Sequence, residues 1–240
     1  MPKAKQLNNK FWKMQASGEN SADVFIFGEI TTSGWESDES DTSASAFKRD
    51  LDALGDVATI NLHINSPGGD VFDGIAIGNM LKQHKAQINC YVDGVAASIA
   101  SVIAMSGDAV FMPSNAMMMV HNPWSFAYGN ASDFRKQADN LDHIADSIKQ
   151  TYLEKAGDKL DLETITQLMD AETWMSAQEA FEYGLCDQVL SANQAAASIS
   201  REWAGRYKNI PKALVESSTE PEKRSENDLL VKKLKALKGE

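Results

Sequence analysis

Apolar residues along this chain fall into short runs separated by polar turns, and the spacing inside each run predicts its structure. Residues 24–30 (VFIFGEI) and 59–64 (TINLHI) read as strands; in the second, Ile60, Leu62 and Ile64 alternate with polar neighbours, the period of a half-buried strand. That run ends in Asn65-Ser66-Pro67-Gly68-Gly69, a strong turn signal. Residues 86–92, 109–112, 116–120 and 185–190 are further expected strands. Helical spacing is expected over 46–54 (Phe47, Leu51, Leu54), 72–85 (Ile77, Leu81) and the small-residue stretch 95–106.

The clearest helix spans 132–156, with Phe134, Ala138, Leu141, Ala145, Ile148 and Tyr152 on one face, Ser132 as the expected cap and Gly157 as the stop. At 1.5 Å per residue it is about 37 Å long, enough to project beyond its own domain onto a neighbour. A short helix is expected from Asp161, and another opens on the capping box Ser176-Ala177-Gln178-Glu179 and ends at Gly184. Strands alternating with helices predict an α/β fold with a largely parallel sheet. Residues 1–22 read as a loosely held polar arm, 23–190 as the folded domain, and 191–240 as an Ala/Ser-rich linker with a basic tail. Residues 228–238 of that tail have helical spacing.

Charge sharpens this division. The net charge of −11 divides into −14 over residues 1–200 and +3 over 201–240. An acidic body has no global attraction for nucleic acid or anionic membranes. The longest apolar run, 95–105, is too short to span a bilayer, and MPKAKQLNNKFWKMQ lacks the apolar core of a signal peptide. A cytoplasmic protein is expected. The two cysteines, Cys90 and Cys186, form no CxxC, so no metal or redox cofactor is expected. Gly69 and Gly74 have Walker-like spacing, but Ile75 stands where a lysine would be needed, so any ATP use belongs to a partner. No GxSxG occurs, which excludes an ordinary α/β-hydrolase.

Four histidines are available as a general base. His84 lies at a basic helix end, His143 at an expected packing seam of the long helix, and His63 within a strand. His121 follows the apolar strand AMMMV, at the strand end where open α/β sheets place their sites. Ser98 sits among small residues in GVAASIAS, where a chain can approach its hydroxyl; a small serine that lets helices pack would look the same. Gly68-Gly69 permits close backbone approach to a substrate oxygen, or is simply a turn. Asp170 and Glu172 lie between two expected helices, and either can orient a histidine or be a solvated loop acid.

Taken together, INSPGGD, GVAASIAS, MMMVHNP and ETWMSAQEAFEYGLCD, in that order, resemble the Clp protease proteolytic subunit (ClpP) family of serine peptidases over about 70% of the chain. ETW, GNASDF and FWKM are most similar to the phage and prophage branch, the head maturation (prohead) proteases. The resemblance implies a ClpP/crotonase-like fold of repeated β-β-α units with a protruding handle helix. By motif, Ser98 matches the nucleophile and His121 the general base. Gly69 and Ile99 match the backbone donors of the oxyanion hole. Glu172 stands where the family usually has aspartate, one methylene longer, and Asp170 is the second choice for that acid.

The resemblance further implies a protein or peptide substrate and a heptameric ring, single or stacked as a double ring through the handle. Ala171 and Thr173, where the family has arginines, weaken the double ring. The implied partners are an AAA+ unfoldase or phage capsid and scaffold proteins. Two other readings share the fold: a catalytically inactive assembly protein and a crotonase-type acyl-CoA enzyme. Candidates at all three triad positions argue against the first, and the pairing of Ser98 with His121 against the second.

Overall fold

The computed structural model describes residues 10–32, 41–192, 205–212 and 214. The expected helix over 228–238 and most of the expected linker lie outside the described residues. The chain forms a mixed α/β structure around an eight-stranded sheet. Its strands are β1 (Trp12–Gly18), β2 (Ser21–Phe27), β3 (Thr59–Ser66), β4 (Gln87–Ala97), β5 (Ala109–Pro113), β6 (Met117–Val120), β7 (Thr173–Ser176) and β8 (Gln188–Leu190). The helices are α1 (Ala44–Asp52), α2 (Val71–Lys82), α3 (Ile99–Ala104), α4 (Ala131–Ala156), α5 (Leu162–Asp170) and α6 (Ala177–Glu182).

The main path runs β1-β2-β3-β4-β5-β8, parallel except for the antiparallel β1–β2 pair at one edge. Alternation decides which face is buried. Ala22, Val24 and Ile26 align with Ile60, Leu62 and Ile64 and then with Ile88, Cys90 and Val92, and all nine are buried. Helices α1 to α3 cover that face with Phe47, Leu51, Ile77, Leu81 and Ile103. On the opposite face Phe25, His63, Tyr91 and Phe111 stack ring on ring, half-buried. No helix among the described residues is long and apolar enough to cross a membrane.

Strand β4 links two parts of the sheet. Its first half pairs with β3 and β5; its last residues, Val95–Ala97, pair with β6, which in turn pairs antiparallel with β7. The sequence pattern ends the strand at residue 92 and opens a helix at 95. The strand instead continues to Ala97, because GVAA is buried on both sides and so shows no alternation. Within the arm expected over 1–22, the described part, 10–22, is instead held in the fold: β1 begins at Trp12, and Phe11 and Trp12 are buried, with Trp12 Nε1 donating to Asp50 at 2.7 Å.

Helix α4 starts at Ala131, capped by Asn130 rather than Ser132. The Asn130 Oδ1 accepts the N–H of Ser132 at 2.8 Å, and Asp133 returns a bond to the Asn130 N–H at 2.8 Å. Only its second half packs on the body, through Ala145, Ile148, Tyr152 and Ala156; Phe134 is 51% exposed. His143 is exposed on this helix, not at a packing seam.

Candidate active site

Parallel strands deliver their C-terminal ends to one edge, and the site is built there. The β4–β6 register aligns Ala97 with Met119, so Ser98 and His121 leave the sheet together. Across the β6–β7 pair Val120 faces Thr173, which sets Glu172 just ahead of β7 opposite His121. Strand β3 contributes the turn Pro67-Gly68-Gly69 beside them.

The Oγ of Ser98 lies 2.7 Å from Nε2 of His121. Ser98 has φ 56° and ψ −132°, a region that is rare outside glycine and persists only when the surroundings enforce it. Its N–H donates to the Met119 carbonyl at 3.0 Å. Its own carbonyl accepts from the Ser101 N–H at 2.9 Å and from the Ser101 hydroxyl at 2.6 Å. Ser101 is fully buried and also bonds Tyr152 of α4 at 2.8 Å. The turn that carries Ser98 is therefore anchored to both β6 and the long helix.

Gly68 and Gly69 have positive φ, 96° and 149°. A Cβ on Gly69 would fall 2.0 Å from the Ile30 carbonyl oxygen, and one on Gly68 2.7 Å from the Ser98 Cβ. The bridge to Ile30 uses the Gly68 carbonyl and the Asp70 N–H, so the Gly69 N–H is left out of that ladder. The N–H of Ile99, first in α3, has no preceding turn to accept it. Both expected oxyanion donors thus flank Ser98.

His121 is pushed below the ordinary imidazole pKa. Burial is the largest cause; the Glu172 carboxylate opposes it and Lys208 adds to it. Glu172 is 8% exposed with φ 51°. Its Oε1 accepts the N–H of Asn209 at 2.8 Å, and among the described residues it makes no hydrogen bond with His121. Asp170 is not brought to the histidine: it is exposed and takes a 2.7 Å bond from Asn122. Elsewhere, His63 Nδ1 pairs with Asp93 at 3.0 Å and His84 Nδ1 accepts the Ala86 N–H. Among the described residues no three His, Cys, Asp or Glu side chains form a metal-holding group.

Beside Ser98 and His121 lies a cleft of about 340 Å³, walled by Phe72, Trp124, Leu141 and Ile144. Part of its wall comes from residues 205–212, through Arg206 and Tyr207, which corrects the expectation that everything after residue 190 is linker and tail: this segment packs against the folded domain. Its signal was Tyr207, Ile210 and Leu214, apolar positions in a polar tail.

A protein-family model described as Clp protease matches residues 35–193. The chain belongs to the Clp protease family. By homology it is a serine protease. It is 37% identical over 142 residues to ATP-dependent Clp protease proteolytic subunit 1 of Prochlorococcus marinus, covering 58% of this chain and 71% of that protein. It is 35% identical over 142 residues to ATP-dependent Clp protease proteolytic subunit 2 of Parasynechococcus marenigrum, with the same coverage. The Clp protease match leaves out strands β1 and β2 at one end and residues 205–214 at the other.

Proposed function

We propose that this chain is a serine endopeptidase in which Ser98 attacks the peptide carbonyl and His121 takes its proton. The N–H groups of Gly69 and Ile99 hold the tetrahedral oxyanion, and Glu172 stabilises the imidazolium. His121 then protonates the leaving amine, and water, activated by the same imidazole, hydrolyses the acyl-enzyme. The observation that carries this reading is the 2.7 Å contact between Ser98 Oγ and His121 Nε2 on a serine held at φ 56°. A lowered His121 pKa keeps the imidazole neutral, the form a general base needs.

The working form is a cytoplasmic homo-oligomeric ring, seven-membered by resemblance, that encloses its sites. The projecting first half of α4, with exposed Phe134, supports packing on a second subunit. The relatives named above are ATP-dependent Clp subunits, which favours protein substrates supplied by an AAA+ unfoldase. Phage head maturation rests on ETW, GNASDF and FWKM alone.

Fluorogenic peptides and unfolded casein, each with and without an ATP-driven unfoldase, test the reading. Wild type should cleave and Ser98→Ala should not. Native mass spectrometry should find a multiple of seven. Cleavage that survives in Ser98→Ala contradicts the peptidase assignment, and a monomer contradicts the ring.

A further inference from the structure

One short stretch outside the Clp protease match touches all three parts of the site. The Asn209 N–H donates to Glu172 Oε1 at 2.8 Å, and its side-chain amide donates to the Ala171 carbonyl at 2.8 Å. Two residues earlier, the Tyr207 hydroxyl donates to the Pro67 carbonyl, in the turn that carries Gly68 and Gly69. The Tyr207 ring stands edge-on to His121, centroids 5.9 Å apart, and to Trp174 at 5.4 Å. Arg206 reaches Glu29 at 3.3 Å. Tyr207 and Leu214 are buried against Val95, Ala97 and Met119, the strand residues leading to Ser98 and His121.

We propose that residues 205–212 are a working part of the catalytic site, in which Asn209 and Tyr207 are positioning residues for Glu172, the oxyanion turn and His121. The proposal rests on the triad reading above. Its physical need is visible at Glu172, which sits at φ 51° and makes no hydrogen bond of its own to His121. A left-handed backbone is unfavourable for a non-glycine residue, so it is held only where neighbours enforce it. Asn209 grips that residue by its carboxylate and the preceding residue by its carbonyl. The segment is a wall and not a plug: Ser98 stays partly exposed, and the cleft of about 340 Å³ remains open beside it.

The charged and titratable groups that touch His121 or line its cavities are Glu172 ahead of β7, Asp170 at the end of α5, Glu29 after β2, Asp70 ahead of α2, and Arg206, Tyr207 and Lys208 from the segment. Opening the Tyr207 side to water therefore raises the His121 pKa by relieving its desolvation.

The test uses the full chain and four variants: Asn209→Pro, Asn209→Ala, Tyr207→Ala and Tyr207→Phe. The measured quantity is the rate of fluorophosphonate labelling at Ser98 against pH, with thermal unfolding alongside. Asn209→Pro, which removes the N–H, should slow labelling by about ten- to a hundredfold. Asn209→Ala, which keeps it, should slow labelling less. Tyr207→Ala should lose a similar factor and move the acid limb to higher pH. Tyr207→Phe, which keeps the ring against His121 and loses the bond to Pro67, should keep the acid limb and lose only part of the rate. If Asn209→Pro does not fold, the Tyr207 pair decides alone. Wild-type rates and an unchanged acid limb in Tyr207→Ala overturn the proposal, as does faster labelling, which would mark the segment as an inhibitor. A folded wild type that never labels at Ser98 overturns the triad reading with it. Labelled wild type with unaffected variants overturns the positioning role only.

Discussion

The side-chain amide of Asn122 donates to Oδ1 of Asp170 at 2.7 Å, which ties Asp170 to the residue after the histidine. Glu172, two residues on, is buried, and its charge reaches His121. Glu172→Gln should therefore lower kcat by about ten- to a thousandfold, short of the loss seen when an acid bonds its histidine directly. Asp170→Asn should leave kcat near wild type, since an asparagine carbonyl still accepts from Asn122. Steady-state peptide hydrolysis by both variants checks the ranking, and a larger loss in Asp170→Asn reverses it.

The pH profile follows from the environment of His121. Its pKa is lowered, chiefly by burial, so the acid limb of kcat/KM should fall below the ordinary imidazole value of about 6.5. The Glu172 charge raises that pKa, so Glu172→Gln should move the limb to lower pH as activity drops. Lys208 lowers it, so Lys208→Gln should move the limb to higher pH. Limbs that shift in the same direction in the two variants contradict this electrostatic account.

Gly69 meets two demands at once. Its φ of 149° is costly for other residues, and a Cβ there would lie 2.0 Å from the Ile30 carbonyl oxygen. Gly69→Ala must displace either β3's turn or residue 30, and the oxyanion donor moves with it. Loss of one such donor costs about a hundred- to a thousandfold in kcat. Equal kcat in Gly69→Ala and wild type would remove Gly69 from the hole.

Support for the nucleophile extends to the long helix. Tyr152 is buried, and burial pushes its phenol pKa up, so it bonds Ser101 as a neutral hydroxyl. Tyr152→Phe leaves Ser101 without that partner and should destabilise the fold by about 1–2 kcal/mol. Ser101 retains the Ser98 and Met119 carbonyls, so most activity should remain at low temperature. Denaturant unfolding and peptide hydrolysis on one preparation separate the two effects.

Much of the fold was legible because its strands alternate cleanly. Ile60, Leu62 and Ile64 announce β3, and the capping box at Ser176 and Glu179 marks α6. The turn at Ser98 is not legible locally, since GVAASIAS is almost uniformly small and apolar and carries neither period. Strand β1 leaves little pattern, because an edge strand can expose most of its residues, as KMQASG does. Motif order singles out Ser98, His121, Gly69 and Ile99; in the structure Ser98 Oγ lies 2.7 Å from His121 Nε2, Gly69 lines the same cleft and Ile99 follows Ser98 in the chain. Asn209 was not legible, because it acts through its backbone N–H, which any residue but proline supplies.

The central claim is that Ser98 is a nucleophile activated by His121. Treatment with a fluorophosphonate, followed by peptide mass mapping, tests it most directly. The account predicts one adduct per chain, on Ser98, lost in Ser98→Ala and strongly reduced in His121→Ala. A folded protein that takes no adduct at Ser98, or labels equally without His121, would contradict it.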